Sequence, residues 1–237
     1  MKKRYINISV LLICAIGVVL IYLYDVFWLG TLYTERLFKV LCILCSIALV
    51  FVRSKKRLLE QSFQTYEKAY VQIIGNAFYN NPNIKKKLLL GIYDYNNEKY
   101  KRAVKRLSKL CQKAQKNSDV VACMIFMALS YEDSGCVQEA IETYKKVLKI
   151  APRNATANNN IAMLYSFKED LKSAFEYYEK AIESNPVYEQ AYLNRAQLYL
   201  ENYRPDEAIS DAEKVLDINN DSEEATLLLL VAYNLKR

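Results

Sequence analysis

The sequence predicts an all-α protein: a two-helix transmembrane hairpin followed by an α-solenoid of about four helix-turn-helix repeats and a terminal helix. Three observations predict it. The 237 residues include only five glycines and four prolines, too few punctuators for the many turns of a β-sandwich or barrel. Long apolar runs fill much of the first 52 residues. Beyond residue 118 the same side chains return every 34 residues, a period that marks stacked repeats.

The first run has no charged residue from Tyr5 to Tyr24. As a helix, Ile6–Tyr24 would be about 28 Å long at roughly 1.5 Å per residue, close to the ~30 Å apolar core of a bilayer. The second run, Leu37–Val52, contains one charge, Lys39. It would be only about 24 Å long, so Arg36 and Lys39 would have to reach the interface. Residues 1–57 therefore read as a hairpin with spans at about 6–26 and 37–52. Tyr22, Tyr24, Phe27, Trp28 and Tyr33 cluster between them, where an aromatic belt would lie. A buried soluble hairpin and a cleaved signal peptide are the alternatives. The first lacks the polar face that a soluble helix needs. The second lacks a small-x-small cleavage site.

The basic flanks set the expected orientation. Three basic residues precede the first run and four follow the second, against one in the link Asp25–Arg36. By the positive-inside rule both ends are cytoplasmic. The expectation is an integral membrane protein with a cytoplasmic solenoid. Cys111, Cys123 and Cys136, an odd number in the solenoid part, fit reduced thiols rather than a disulfide framework.

Residues 58–83 read as an amphipathic capping helix. Phe63, Tyr66, Tyr70, Ile73, Ile74, Ala77 and Phe78 form its apolar stripe, and Asn81-Pro82 ends it. The solenoid follows over 84–237. Its first unit, about 84–120, shows Leu90-Gly91, Tyr95, Tyr100, Ala103, Leu107 and Leu110, with a second helix about three residues longer than in later units. The units 121–154, 155–188 and 189–222 keep strict register, and a lone helix 223–237 closes the chain. Tyr131, Tyr165, Tyr199 and Tyr233 form one series. Ala128, Ala162 and Ala196, followed by Leu230, form another, and Ala140, Ala174 and Ala208 a third. Each unit has two apolar stripes at helical spacing, with Lys168-Glu169-Asp170 as the turn in the best-marked one. The alanines mark close helix contacts, and the tyrosines fill larger gaps. Neither helix buries its stripe alone, so neighbours must stack.

This pattern resembles the tetratricopeptide repeat family. Ala157, Ile161-Ala162, Tyr165, Ala174, Tyr178, Ala181 and Pro186 carry the resemblance most closely, and Ala191, Ala196, Tyr199 and Ala208 continue it. Asn158 stands where the family usually has a large aromatic, and Arg195 where it has an apolar residue. The resemblance implies that the first helices of successive units line a groove that binds a peptide segment of a partner protein. The groove-facing residues would be Thr156, Asn159, Asn160, Met163 and Phe167, then Gln190, Leu193, Asn194, Gln197 and Glu201. Their side-chain amides both donate and accept, so they suit the backbone of an extended peptide. Glu201 and Glu224 imply a partner segment with basic residues. Family members that clamp a C-terminal carboxylate use cationic slots, which here hold Ile125, Asn159, Gln190, Glu224 and Leu228. That clamp is not expected.

Charge divides the chain. The formal net charge is +7, all of it within residues 1–57. Residues 58–117 carry twelve Lys/Arg against four Asp/Glu, and residues 118–237 carry twelve against twenty. Arg102, Arg106, Lys109 and Lys113 recur on one helix face. They read either as a solvated face or as a contact with anionic lipid. Nucleic acid is not expected, because no base-stacking motif accompanies the charge.

Nothing in the sequence points to an enzyme or a cofactor. The chain has no histidine, which removes the commonest general base and every imidazole metal site. Its glycines stand singly, so there is no phosphate loop. Two functions remain. One is a membrane-anchored interaction scaffold that binds a peptide in its groove. The other is a structural assembly factor that docks on a membrane complex through its convex face or its end.

Overall fold

The computed structural model describes residues 32–74, 77–78 and 80–236. The chain divides into two compact units, Met1–Thr65 and Tyr66–Arg237. Among the described residues the regular structure is helical throughout.

Helix α1 spans Leu32–Ala69. It runs through the second expected span without a break and into the charged stretch beyond it. Here the structure corrects the expected localisation. Among the described residues no helix is long and apolar enough to cross a membrane. The physical reason is length. Between Lys39 and Arg53 lie thirteen uncharged residues, or about 20 Å of helix at roughly 1.5 Å per residue, against a ~30 Å hydrocarbon core. The expected hairpin, and the integral-membrane assignment built on it, are therefore not supported. The first expected span, 6–26, lies outside the described residues.

The second unit continues with a short helix α2, Val71–Ile74. Asn81-Pro82 does not end the preceding helix, as expected, but begins the next. The Asn81 side chain accepts from the Ile84 N–H at 3.1 Å, and Pro82 opens α3, Pro82–Asn96. Proline suits that place because its missing N–H would have no helical partner there. Helix α4 is Tyr100–Cys111. Helices α5, Asn117–Asp133, and α6, Val137–Ile150, form the next pair. Helices α7, Ala155–Phe167, and α8, Leu171–Ser184, follow. Helices α9, Glu189–Glu201, and α10, Pro205–Ile218, form the last complete pair, and α11, Glu223–Leu235, stands alone. The extra residues of the first unit do not lengthen α4. They form the connection 112–116 and an early start for α5.

The 34-residue period has a hydrogen-bonding basis. Each pair is joined by a tight turn with one residue in the left-handed region: Glu98 at φ 57°, Gly135 at 78°, Glu169 at 61° and Tyr203 at 55°. In each turn the next N–H reaches back to a carbonyl five residues earlier. The bonds are Lys99 to Asp94, Cys136 to Tyr131, Asp170 to Tyr165 and Arg204 to Tyr199, all 2.8–3.0 Å. This is the Schellman closure of a helix end. The second helices end differently but also recurrently, on a bond to the carbonyl four residues earlier with no left-handed residue. Ala151, Asn185 and Asn219 donate to Val147, Ala181 and Val215 at 2.8, 3.0 and 2.8 Å.

The alanine series lie where expected. Ala128, Ala140, Ala162, Ala174, Ala196 and Ala208 are all fully buried. Ala162 and Ala174 share a core with Tyr178 and Leu198, and Ala196 and Ala208 share one with Ala212 and Val215. Small side chains let the paired helices approach, so the seam tolerates little added volume. In the first pair Gly91 takes this place. A Cβ there would fall 2.5 Å from Leu107 Cδ2. Side by side, α7 meets α9 and α9 meets α11, so the first helices form one continuous face.

Candidate functional site

The expected groove residues sit on the faces of α7 and α9. Asn159 and Leu193 are buried, whereas Thr156, Asn160 and Asn194 are half-buried. Met163, Phe167, Gln190, Gln197 and Glu201 are exposed. Asn159, expected to face the groove, is buried.

These amides are not independent. Gln190 Nε2 donates to Asn194 Oδ1 at 3.0 Å, and Asn194 Nδ2 donates to Asn159 Oδ1 at 3.0 Å. Asn159 Nδ2 donates to Asn160 Oδ1 at 3.0 Å, with Met163 Sδ at 3.7 Å. Asn160 Nδ2 donates to the Tyr144 hydroxyl oxygen at 2.7 Å, and that hydroxyl donates to Glu132 Oε2 at 3.1 Å. The result is a ladder of side-chain hydrogen bonds from α9 through α7 and α6 to the end of α5. Each amide has two N–H groups and two lone pairs, so the ladder uses only part of its capacity. The outer residues keep unused donors and acceptors. Gln197 and Glu201 form a separate pair one turn further along α9, at 3.0 Å.

The sequence reading missed two anchors of this ladder. Tyr144 reads from its period as a gap filler, and it is fully buried. Glu132 recurs in no series. Burial pushes the Glu132 carboxyl up to about 7, the Tyr144 hydrogen bond pulls it back, and the neighbouring Asp133 charge raises it further. Burial, then the nearby Glu132 charge, push the Tyr144 hydroxyl well above the usual phenol range against the Asn160 bond. Tyr144 therefore stays a neutral donor. Burial and a hydrogen bond with the Asp133 carboxylate likewise raise Tyr95.

The face is closed at its α5 end. Ile125 and Phe126 lie 34 residues before Asn159 and Asn160, and both are buried. Ile73 packs on the core that contains Ile125, and the Tyr70 ring meets Phe126 edge-on at 5.0 Å. Tyr70 also donates to Asn96 Oδ1 at 2.9 Å, and the Phe78 N–H donates to Asp119 Oδ1 at 2.7 Å. The segment before α3 thus covers this end, and the open part of the face begins at α7.

The basic face of α4 does not stand free as a whole. Asp94 is fully buried in α3. Its Oδ1 accepts from Arg102 Nε at 2.8 Å and also meets Arg102 Nη2, while Arg106 Nε lies 3.0 Å from Oδ2. Removing an acid from water demands such partners, so Arg102 and Arg106 brace α4 to α3. Lys109 and Lys113 are exposed. Arg195, the departure noted in the sequence, has a similar role. It grips Asp211 of α10 with two hydrogen bonds at 2.8 and 2.7 Å, a bidentate pair. Among the described residues no group of three His, Cys, Asp or Glu side chains could hold a metal ion.

Comparison with known proteins agrees with this architecture. Tetratricopeptide repeat family models match residues 120–186 and 177–210. Nothing among the curated proteins matches the chain. A crystal structure of MamA protein aligns with a TM-score of 0.54 and 24% identity, over 65% of this chain and 82% of that one. A tetratricopeptide repeat protein from Parabacteroides merdae aligns with a TM-score of 0.56 and 22% identity, over 65% of this chain and 60% of that one. BtubC (BKLC) from P. vanneervenii aligns with a TM-score of 0.59 and 19% identity, over 75% and 84%. These likenesses show a shared fold. Together with the family matches, they support a tetratricopeptide-repeat solenoid, a fold suited to protein–protein interaction.

Proposed function

We propose that this chain is a protein–protein interaction scaffold that binds an extended peptide segment of a partner along the face of α7 and α9. The amide ladder carries the reading. Asn159 organises it from within, while Asn160, Gln190, Asn194 and Gln197 offer donors and acceptors to a peptide backbone. Holding those groups in place before binding reduces the ordering that a ligand must bring about. Met163 supplies an apolar contact at the centre. Glu201, with Glu224 at the start of α11, favours a segment containing Lys or Arg, so binding weakens with added salt.

Selection of peptides from a random displayed library on the immobilised full chain tests this. Enriched sequences should be rich in Lys or Arg. Gln197→Ala with Glu201→Lys, both exposed positions, should abolish that enrichment without lowering thermal stability. Enrichment that survives both changes overturns the reading. A second reading, assembly through the solenoid end, is favoured by one observation: the exposed apolar residues of α11.

A further inference from the structure

Helix α4 buries Ala103, Leu107 and Leu110 and leaves a row of lysines in solvent. Lys101, Lys105 and Lys109 follow one another every four residues, and all three are exposed. At that spacing they form one stripe about 12 Å long, at roughly 1.5 Å per residue. Lys113 and Lys116 carry the charge on into the connection after the helix, and both are exposed. Residues 99–118 hold eight Lys or Arg and no acid. Arg102 and Arg106 are engaged by Asp94. Among the described residues these five lysines have no ion-pair partner.

The chemistry of the stripe selects an anionic plane as its partner. A lysine is a flexible point charge, without the planar fork by which arginine grips a single phosphate or carboxylate. Both arginines of α4 are already engaged. The stripe therefore attracts through its field and not by a fixed geometry of recognition. The exposed residues of 99–118 are all Lys, Arg, Gln, Asn or Ser, so no exposed aromatic ring is there for a nucleic-acid base to stack on. Charge elsewhere in the chain sets the orientation. Residues 118–237 carry twelve basic against twenty acidic side chains. An extended anionic plane draws α4 in and repels the later repeats, a sidedness that a small acidic ligand would not use. The first unit has a membrane-directed feature of its own. There α1 exposes Leu44, Phe51 and Val52 ahead of the exposed Arg53, Lys56 and Arg57. Apolar side chains with a basic flank suit a bilayer interface, where weak attractions hold a protein only in combination.

We infer that the lysine stripe of α4 rests on an anionic lipid surface and holds the solenoid there by electrostatic attraction. The test adds preformed vesicles to the full chain and follows the acylation of each lysine by a water-soluble reagent, read by mass spectrometry. Vesicles of phosphatidylcholine with one-third phosphatidylserine should slow the labelling of Lys101, Lys105 and Lys109 several-fold, and high salt should restore it. Vesicles of phosphatidylcholine alone should not slow it. Lys149, exposed in the acidic part of the chain, should label at the same rate throughout. Lys101→Gln, Lys105→Gln and Lys109→Gln combined should lower the preference for anionic over neutral vesicles on the order of a hundredfold, at roughly fivefold per charge. Arginine at the same three positions should keep the preference. All three positions are exposed, so the melting temperature should not change. Labelling that is not slowed on anionic vesicles, or is slowed equally on both kinds, overturns the proposal. An undiminished preference in the glutamine variant overturns it too. Protection by polyuridylate but not by the anionic vesicles overturns it by assigning the stripe to nucleic acid.

Discussion

Asn194 and Asn159 stand 35 residues apart and share a 3.0 Å hydrogen bond across the boundary between two repeats. Asn159 is buried, so its Oδ1 has little access to water. The bond thus joins α9 to α7 through polar side chains. Asn194→Ala should leave the Asn159 carbonyl without its donor and cost about 1–3 kcal/mol. Gln197→Ala, at an exposed position, should change stability by no more than about 0.5 kcal/mol. Urea unfolding of both variants checks this. Equal stability would mean that the ladder contributes nothing to folding.

The other end of the ladder should make stability depend on pH. Burial lifts Glu132 to about 7, above the ordinary carboxylate range of roughly 4–4.5. Between those values the folded chain holds a proton that the unfolded chain releases. The contribution of Glu132 is therefore fully present in acid and lost as pH rises through about 7. Glu132→Gln, which can still accept from Tyr144, should match the wild type near pH 5. It should be more stable at pH 8, by on the order of 2–3 kcal/mol. Urea unfolding of both proteins across that range gives the difference directly. A difference that does not vary with pH would show that Glu132 is ionised in the fold.

Packing at the alanine seam should be unforgiving. Ala174 is fully buried beside Ala162 and Tyr178. Ala174→Leu adds three carbons where the helices already touch, and should cost about 1–3 kcal/mol. Thermal melting followed by circular dichroism measures it. An unchanged melting temperature would put the α7–α8 contact elsewhere.

A turn offers the opposite effect. Glu169 holds φ 61°, a conformation that a Cβ makes unfavourable and that glycine adopts freely. The equivalent place one unit earlier is Gly135. Glu169→Gly should stabilise the chain by up to about 1 kcal/mol, the strain relieved being partly offset by the greater freedom of glycine when unfolded. A lower melting temperature would show that the Glu169 side chain does more than tolerate its turn.

The sequence by itself determined the repeat unit. The 34-residue return of Tyr165, Ala162, Ala174 and their counterparts reflects packing that recurs identically in each pair, so it leaves a periodic trace. The turns within the pairs recur for the same reason, since each first helix closes with the same hydrogen bond. Features that occur once leave no such trace, and only the tertiary structure decided them. Asn160 meets Tyr144, and Arg195 meets Asp211, each 16 residues away. Asp94 gathers Arg102 and Arg106 from α4, although their spacing reads as an open basic stripe. Ile73 packs on the core of Ile125 and the Tyr70 ring meets Phe126, which closes one end of the face, although α5 repeats the pattern of α7 and α9. A side chain's partner depends on the offset and separation of neighbouring helices. Periodicity records which face is apolar, and the packing of one helix on the next decides which polar groups come within 3 Å.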